Sequence, residues 1–261
     1  MSKLFSALGT PMTQVQYAQE WKVDGEHISN DGHHFWMAEQ LGQQNLVVEI
    51  GCGAGASTLT LAKKSRVICI ESNPTLVEFC KDNLLANNVS AQVLTISELT
   101  EATSQVVIVH CDIFDLSIEQ HLKAMKPTAI VCWLIGAAPE TIAKNINKDL
   151  EDFTGAEMAF YREKVHSRAY KLGANVLESK GVIHIVDRIG IRSWNDKDLV
   201  RAAVVEMHSE LAGADYLVDK NNAYLRRTPK GVSQSSISMM SENRFNDAIE
   251  ALSSMKSTRK E

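Results

Sequence analysis

The stretch "VVEIGCGAGAST" at residues 47–58 constrains the fold of this chain more than any other segment. An apolar run ends there in a glutamate, and glycines follow at every second position, Gly51, Gly53 and Gly55. Glycine has no Cβ atom to keep a ligand away from the backbone, and it tolerates the dihedral angles of a tight turn. A strand, a glycine turn and a helix in this order predict a ligand site at the carboxyl edge of a parallel sheet.

Apolar runs without strict alternation recur along the chain and predict the strands of that sheet. They are residues 46–50, 66–71, 105–111, 128–135 and 181–187, with 91–96 as a further candidate. Helical stretches separate these runs, which is typical of a parallel sheet covered on both faces. We therefore expect an α/β fold, a doubly wound, mostly parallel seven-stranded sheet of Rossmann-like type. Residues 215–227 are expected to end it as an antiparallel hairpin that turns at "DKNN".

The sequence suggests three regions. Residues 1–44 are expected to form an N-terminal helical lid, residues 45–228 the core, and about 136–160 a helical insertion over the site. Residues 229–261 form a serine-rich C-terminal extension. Within it, Phe245, Ala248, Ile249 and Leu252 follow helical spacing and predict one amphipathic helix. This helix could contact a second copy, so a homodimer is one expected state.

Composition excludes several classes of protein. The net charge of -5 gives no positive field for bulk binding of nucleic acid. No stretch approaches 18 apolar residues, and the N-terminus lacks the apolar core of a secretory signal, so we expect neither a membrane span nor secretion. Five cysteines without a C-x-x-C pair predict reduced, buried thiols in a cytoplasmic protein and no metal site.

Three ligand classes use glycine loops of this kind. A phosphate-cradling nucleotidase loop is excluded, because no lysine follows the glycines until Lys63. A dinucleotide loop remains open, since Gly51, Gly53 and Ala56 fit G-x-G-x-x-G/A and Glu71 stands about 20 residues on, where a ribose-binding acid is found. That hypothesis predicts an NAD(P)-dependent oxidoreductase with a catalytic set such as Tyr-x-x-x-Lys, and no such set is present.

The third class fits the acidic residues as well as the glycines. The segment resembles motif I of class I S-adenosylmethionine-dependent methyltransferases, in which an acid stands two residues before G-x-G-x-G, here Glu49. Glu71 ends the next strand, and Asp112 in "VIVHCDIF" matches the family's adenine-contacting acid. The resemblance covers about residues 45–228. S-adenosylmethionine carries a sulfonium and an ammonium group, which nearby acids attract, whereas the same acids would repel a pyrophosphate.

The resemblance implies a cofactor site. Glu49 would orient the loop and the methionyl ammonium, Glu71 would accept hydrogen bonds from both ribose hydroxyls, and Asp112 would accept one from the adenine amino group. If residues 91–96 are the third strand, Ser97 or Glu98 would take the adenine role instead. The other residues expected to line the cofactor are Gly51, Cys52, Gly53, Gly55, Ser72, Ile113 and Trp133.

The resemblance also implies methyl transfer, with a small molecule or a protein side chain as the expected acceptor. The chain has no [DNS]-P-P-[YFW] motif and no Pro-Cys nucleophile, since Cys132 follows Val131, so methylation of nucleic-acid bases is disfavoured. The catalytic residues are not identified by any motif. Weak candidates are His33, His34, Tyr161 and His166, of which a histidine could serve as general base because its pKa lies near neutral pH. A binding module of the same fold without catalysis remains an alternative.

Overall fold

The structure is a computed structural model that describes residues 11–150, 155–229 and 248–261. Within these residues one sheet of eight strands has the order β3-β4-β2-β1-β5-β6-β8-β7. The strands are β1 (Leu46–Ile50), β2 (Arg66–Glu71), β3 (Ala91–Leu94), β4 (Val106–His110), β5 (Ala129–Trp133), β6 (Val182–Ile191), β7 (Tyr216–Arg227) and β8 (Ile249–Arg259). The helices are α1 (Gln14–Asn30), α2 (His33–Leu41), α3 (Ala56–Ala62), α4 (Pro74–Ala86), α5 (Ile118–Met125), α6 (Pro139–Ile146), α7 (Gly155–Val176) and α8 (Lys197–Ala212).

Strands β1 to β6 pair in parallel, and β7 and β8 are antiparallel. The predicted fold class is therefore confirmed. Every residue of β1 is buried, because side chains on both faces are covered. Helices α2, α3 and α4 cover one face, where Val47 packs. Helices α5 and α7 cover the other, where Val48 and Ile50 pack.

The direction of the chain places a ligand crevice beside β1. This strand pairs with β2 on one side and with β5 on the other, so the connections that leave the carboxyl ends of β1 and β5 run in opposite directions along the sheet, toward β2 and β6. In open α/β sheets, ligands bind in the crevice outside the carboxyl ends of the strands at such a point. The glycine loop follows β1 directly and therefore lies at this crevice. No helix in the described part of the chain combines the length and apolar character that a membrane span requires.

The number of strands differs from the predicted seven because residues 91–94 form a separate strand. Strand β3 pairs with β4 alone and lies at the outer edge of the sheet. Strand β4 is inserted between β3 and β2. The strand beside β2 is thus the one that leads to Asp112, and not the one that leads to Ser97 and Glu98.

The hairpin predicted at residues 215–227 is wrong. These residues form the single strand β7, which pairs with β8. The "DKNN" residues 219–222 form an irregularity between Val218 and Ala223, where the backbone N–H of Asn221 donates to Asp219 at 2.8 Å. Polar residues of this kind are typical of turns, but they also form bulges, and sequence spacing does not distinguish the two.

The amphipathic helix predicted in the C-terminal extension is also wrong where the structure describes it. Ile249 and Leu252 belong to β8, and Phe245 lies outside the described residues. Strand β8 is covered on both sides by β6 and β7 and on both faces by helices, and its buried residues include Ser253, Ser254 and Ser257. Because both faces are buried, the strand shows no alternation of polar and apolar residues, and its helical spacing is accidental.

A buried hydrogen-bond chain joins β5, β6 and β8. The indole N–H of Trp133 donates to Nδ1 of His184 at 3.1 Å, so Nε2 carries the proton and faces the Ser254 hydroxyl at 2.7 Å. Burial lowers the pKa of His184 to about 3, which keeps the ring neutral. The ring therefore has one acceptor and one donor, and both are used.

Ser254→Ala is expected to lower the free energy of unfolding by about 1–3 kcal/mol, because it leaves the buried Nε2–H of His184 without a partner. Urea unfolding followed by circular dichroism measures this change. Ser253→Ala is the matched control, since the Ser253 hydroxyl makes only a long contact of 3.4 Å to a backbone carbonyl. An equal decrease in the free energy of unfolding of the two variants would contradict the hydrogen-bond chain.

Candidate active site

The glycine loop is held in a conformation that favours glycine at three positions. The φ angles of Gly51, Gly53 and Gly55 are 73°, 54° and 83°, in the left-handed region that side chains rarely adopt. The N–H of Gly51 donates to the Ile70 carbonyl at 2.8 Å, and the N–H of Gly55 donates to the Cys52 carbonyl at 3.0 Å. The loop therefore closes tightly around the end of β1, and helix α3 begins directly after it.

Glu71 fixes this loop to the end of β2. Its buried carboxylate accepts hydrogen bonds from the backbone N–H of Gly53 at 3.1 Å and of Asn73 at 2.9 Å. Burial is the main cause that raises the pKa of Glu71 to about 7, and the two N–H donors act in the opposite direction. The carboxyl group thus stands between the two loops that a nucleoside at this edge would touch.

Glu49 orients the same loop from below. Its carboxylate accepts hydrogen bonds from the hydroxyls of Ser57 at 2.5 Å and Thr58 at 2.7 Å, both in the first turn of α3. The side chain is 1% exposed, and burial raises its pKa to about 7. The predicted orienting role agrees with these contacts, which engage one hydroxyl at each carboxylate oxygen. Its contact with a methionyl ammonium stays a prediction.

Asp112 follows β4, two residues after His110, the partner of Glu71 in the sheet. The N–H of Cys111 donates to the Glu71 carbonyl at 3.1 Å, which fixes the end of β4 against the end of β2. The Asp112 carboxylate accepts from the N–H of Phe114 at 3.0 Å and from the Asn145 side chain of α6 at 2.9 Å. An amide from the predicted insertion therefore reaches one oxygen of this acid.

Ser97 and Glu98, the alternative adenine contacts, lie farther from the glycine loop than Asp112 does in the order of strands. Ser97 and Glu98 belong to a 3₁₀ turn after β3, on the far side of β4 from the loop. The exposed carboxylate of Glu98 accepts hydrogen bonds from Thr95, the residue that begins this turn. Their position favours Asp112 as the acid at the adenine end of the crevice.

Helix α1 lies directly on the glycine loop. A Cβ atom at Gly53 would come within 2.5 Å of Trp21 Nε1, and one at Gly136 within 2.6 Å of the Tyr17 hydroxyl. The Tyr17 and Trp21 rings are stacked, with centroids 6.2 Å apart. The start of the helix is anchored by Asn73, whose side-chain amide donates to the Gln14 carbonyl at 2.9 Å. The predicted lid thus contains a helix whose aromatic side chains fill the space above the loop.

A buried charged pair that sequence analysis missed joins this helix to β6. Nη2 of Arg188 lies 3.6 Å from Oδ2 of Asp24, and its guanidinium lies over the Trp21 ring at 5.1 Å. Nε and Nη2 of Arg188 have no hydrogen-bond partner among the described residues. Arg188 lies past the end of β5, at the carboxyl edge. The signal in the sequence was an "IVDR" sequence in which charged residues end an apolar strand.

The four candidate catalytic residues are dispersed. Tyr161 is buried near the acids, since the charges of Asp112 and Glu71 add to burial in raising its pKa. His34 lines a small cavity with Gly51, Cys52 and Trp133, and its Nδ1 lies 2.7 Å from the Ser29 hydroxyl.

The other two histidines lie elsewhere. His33 is near Arg226 of β7, and the His166 ring lies 6.1 Å from that of His208. Burial lowers the pKa of both His33 and His166. Of the four candidates, Tyr161 is therefore the one placed beside the expected cofactor acids.

Residues 47–131 match the family model described as a methyltransferase domain. The chain contains a methyltransferase domain. The matched segment runs from β1 to β5 and includes Glu49, Glu71 and Asp112. The glycine loop and the two acids of the crevice therefore belong to the part that defines the family.

Solved structures of methyltransferases are similar to this chain. The N-methyltransferase NodS from Bradyrhizobium japonicum, in complex with S-adenosyl-L-homocysteine, is 14% identical with a TM-score of 0.51, and the match covers 96% of this chain and 100% of that one. A putative sarcosine dimethylglycine methyltransferase from Galdieria sulphuraria is 11% identical (TM-score 0.44, 90% and 85% covered). The geranyl diphosphate C-methyltransferase from Streptomyces coelicolor is 10% identical (TM-score 0.47, 88% and 76% covered). No curated protein matches the sequence.

The predicted resemblance to class I methyltransferases is confirmed by the family match and the fold. The methyltransferase domain is that of an enzyme that uses S-adenosylmethionine, and neither the oxidoreductase nor the non-catalytic module is favoured. At 14% identity, the likeness to NodS is one of fold, so the acceptor is not carried over. The individual cofactor contacts stay predictions.

Glu71→Gln is expected to weaken binding of S-adenosylhomocysteine about 10- to 100-fold, because charge-assisted hydrogen bonds are worth about 1.5–3 kcal/mol. Isothermal titration calorimetry measures the change. Glu98→Gln is the control, since this exposed acid lies beyond β4 and its loss should leave affinity unchanged. Equal affinity in wild type and Glu71→Gln would refute the ribose contact.

The raised pKa of Glu71 predicts opposite effects of pH on stability and on binding. Protonation favours the folded state, because the pKa lies above its ordinary value of 4.5, and this stabilisation is lost as the pH rises through about 7. The free protein is thus expected to melt at a lower temperature at pH 8 than at pH 6. Binding of S-adenosylhomocysteine should strengthen over the same range, because ionised Glu71 accepts more hydrogen bonds. Glu71→Gln should flatten the binding profile and reduce the slope of the stability profile, to which Glu49 also contributes. Unchanged slopes in both profiles would count against this assignment.

Proposed function

We propose that this protein transfers the methyl group of S-adenosylmethionine to a small molecule. The observation that carries the proposal is a pair of acids, Glu71 and Asp112, which follow the neighbouring strands β2 and β4 at the carboxyl edge that also carries a loop of three left-handed glycines. A cationic cofactor without phosphate suits this charge, since two carboxylates would repel a dinucleotide's pyrophosphate. Because glycine has no Cβ atom, the backbone of this loop stays accessible to the cofactor.

In this assignment each part of the crevice binds one part of the cofactor. The backbone at Gly51 and Gly53 faces the methionyl group, Glu71 accepts from the ribose, and Asp112 accepts from the adenine with Ile113 beside the ring. Cys52 contributes through its backbone, because its sulfur lies within the core. Gly55, Ser72 and Trp133 complete the surroundings.

The cofactor supplies an electrophilic methyl group, so the protein has to align the acceptor with it and exclude water. Tyr17 and Trp21 now occupy the space over the loop, and α1 therefore has to move when the cofactor enters. Once closed, the same aromatic side chains cover the reacting groups. Tyr161 keeps its proton at neutral pH, because its pKa is raised, so it acts by donating a hydrogen bond and not as a general base.

The enclosed position of the crevice supports a small acceptor over a protein side chain. The crevice is closed on the side of β6 by Trp21, Asp24 and Arg188. Asp24 is 0% exposed. The guanidinium donors that lack partners suit an acceptor with an anionic group, such as a carboxylate. The cytoplasmic location and the homodimer remain expectations of the sequence.

The acceptor class can be tested with matched pairs of compounds. Small amines, thiols and hydroxy compounds are supplied both as carboxylic acids and as the corresponding amides, and formation of S-adenosylhomocysteine is measured. Turnover of at least one acid, with its amide at least 10-fold slower, is expected. Calorimetric binding of S-adenosylmethionine without turnover of any small compound, but with methylation of a protein extract, would overturn the small-molecule acceptor.

Arg188→Gln is expected to raise KM for the acid about 10- to 100-fold and to remove the preference over the amide, because one charge-assisted bidentate contact is lost. Binding of S-adenosylhomocysteine should be unchanged. Arg201→Gln is the control, since Arg201 pairs with Asp198 on the exposed surface of α8. Loss of cofactor affinity in Arg188→Gln, with acid preference retained, would contradict this role.

A further inference from the structure

Three of the five cysteines meet beneath the glycine loop. Cys52 lies in the loop, Cys69 in β2 and Cys80 in α4, and all three are buried. Their sulfur atoms lie within 4.8 Å of one another. Because they come from three separate elements, only the tertiary structure brings them together.

This spacing fits a metal ion of tetrahedral geometry. Zinc binds thiolates at about 2.3 Å, which places the sulfurs of a tetrahedral site about 3.8 Å apart. The observed cluster needs shifts of less than about 1 Å per sulfur to reach that arrangement. The donor set is therefore three sulfurs.

An acidic side chain borders the three sulfurs. Oε2 of Glu49 lies 3.7 Å from the Cys69 sulfur. The carboxylate is buried and also accepts hydrogen bonds from the hydroxyls of Ser57 and Thr58.

We propose that Cys52, Cys69 and Cys80 bind one zinc ion under the cofactor loop. The ion would fasten the loop to β2 and α4, so it sets the rigidity of the methyl-donor site. This site is independent of the identity of the acceptor.

The first experiment uses the wild-type chain, reduced and stripped of metal. One equivalent of Co²⁺ should give a thiolate-to-cobalt charge-transfer band with the intensity of three sulfur ligands, and Zn²⁺ should displace it. Elemental analysis should then find one zinc per chain. Absence of the charge-transfer band would overturn the proposal.

The second experiment compares single substitutions. Cys69→Ser and Cys80→Ser should each reduce the band by about one thiolate ligand and weaken zinc binding at least 100-fold, in line with the loss of an inner ligand. Cys132→Ser is the matched control, because Cys132 is a buried strand thiol outside the cluster. Zinc should raise the melting temperature of the wild type and of this control, but not of the cluster variants. An equal loss of zinc affinity in Cys132→Ser would refute the assignment. If a cluster variant does not fold, the spectrum of the wild type alone tests the proposal.

Discussion

The carboxylate of Glu71 is the contact on which the arrangement of the site depends. It accepts from the N–H of Gly53 and of Asn73, and the carbonyl of the same residue accepts from Cys111. One residue thereby fixes the glycine loop, the beginning of α4 and the end of β4 relative to one another. Asn73 extends the connection to α1 through Gln14. A ligand that engages Glu71 would thus bind a residue that is connected by hydrogen bonds to the glycine loop, to α4 and to β4.

Burial of so many charged groups at one edge is costly, and the cost explains their properties. Desolvation disfavours the ionised form of Glu49 and Glu71, and it raises the pKa of both to about 7. Arg188 and Asp24 are also buried, and they form an ion pair at 3.6 Å. Buried groups with shifted pKa values cluster at functional sites, which agrees with a cofactor site at this edge of the sheet.

The sequence alone predicted the catalytic scaffold well and the C-terminal half poorly. Gly51, Gly53 and Gly55 require a particular backbone, and Glu71 ends a run of buried residues, so local pattern determines their roles. The sequence did not predict a strand at residues 249–259, because β8 is buried on both faces and its serines follow the spacing of a polar helix face. Pairing across a sheet depends on residues far apart in sequence, and no local signal reports it.

What the sequence determined by itself is the parallel core, the loop and the acids that follow its strands, because each of these is specified within a few neighbouring residues. What the tertiary structure decided is which strand lies beside β2, and hence that Asp112 and not Glu98 follows the neighbour of the strand that ends in Glu71. It also decided that Asp24 meets Arg188 and that three cysteines meet under the loop. These contacts join elements that are separated along the chain, and their formation depends on packing of the whole sheet and its helices, which no spacing of residues encodes.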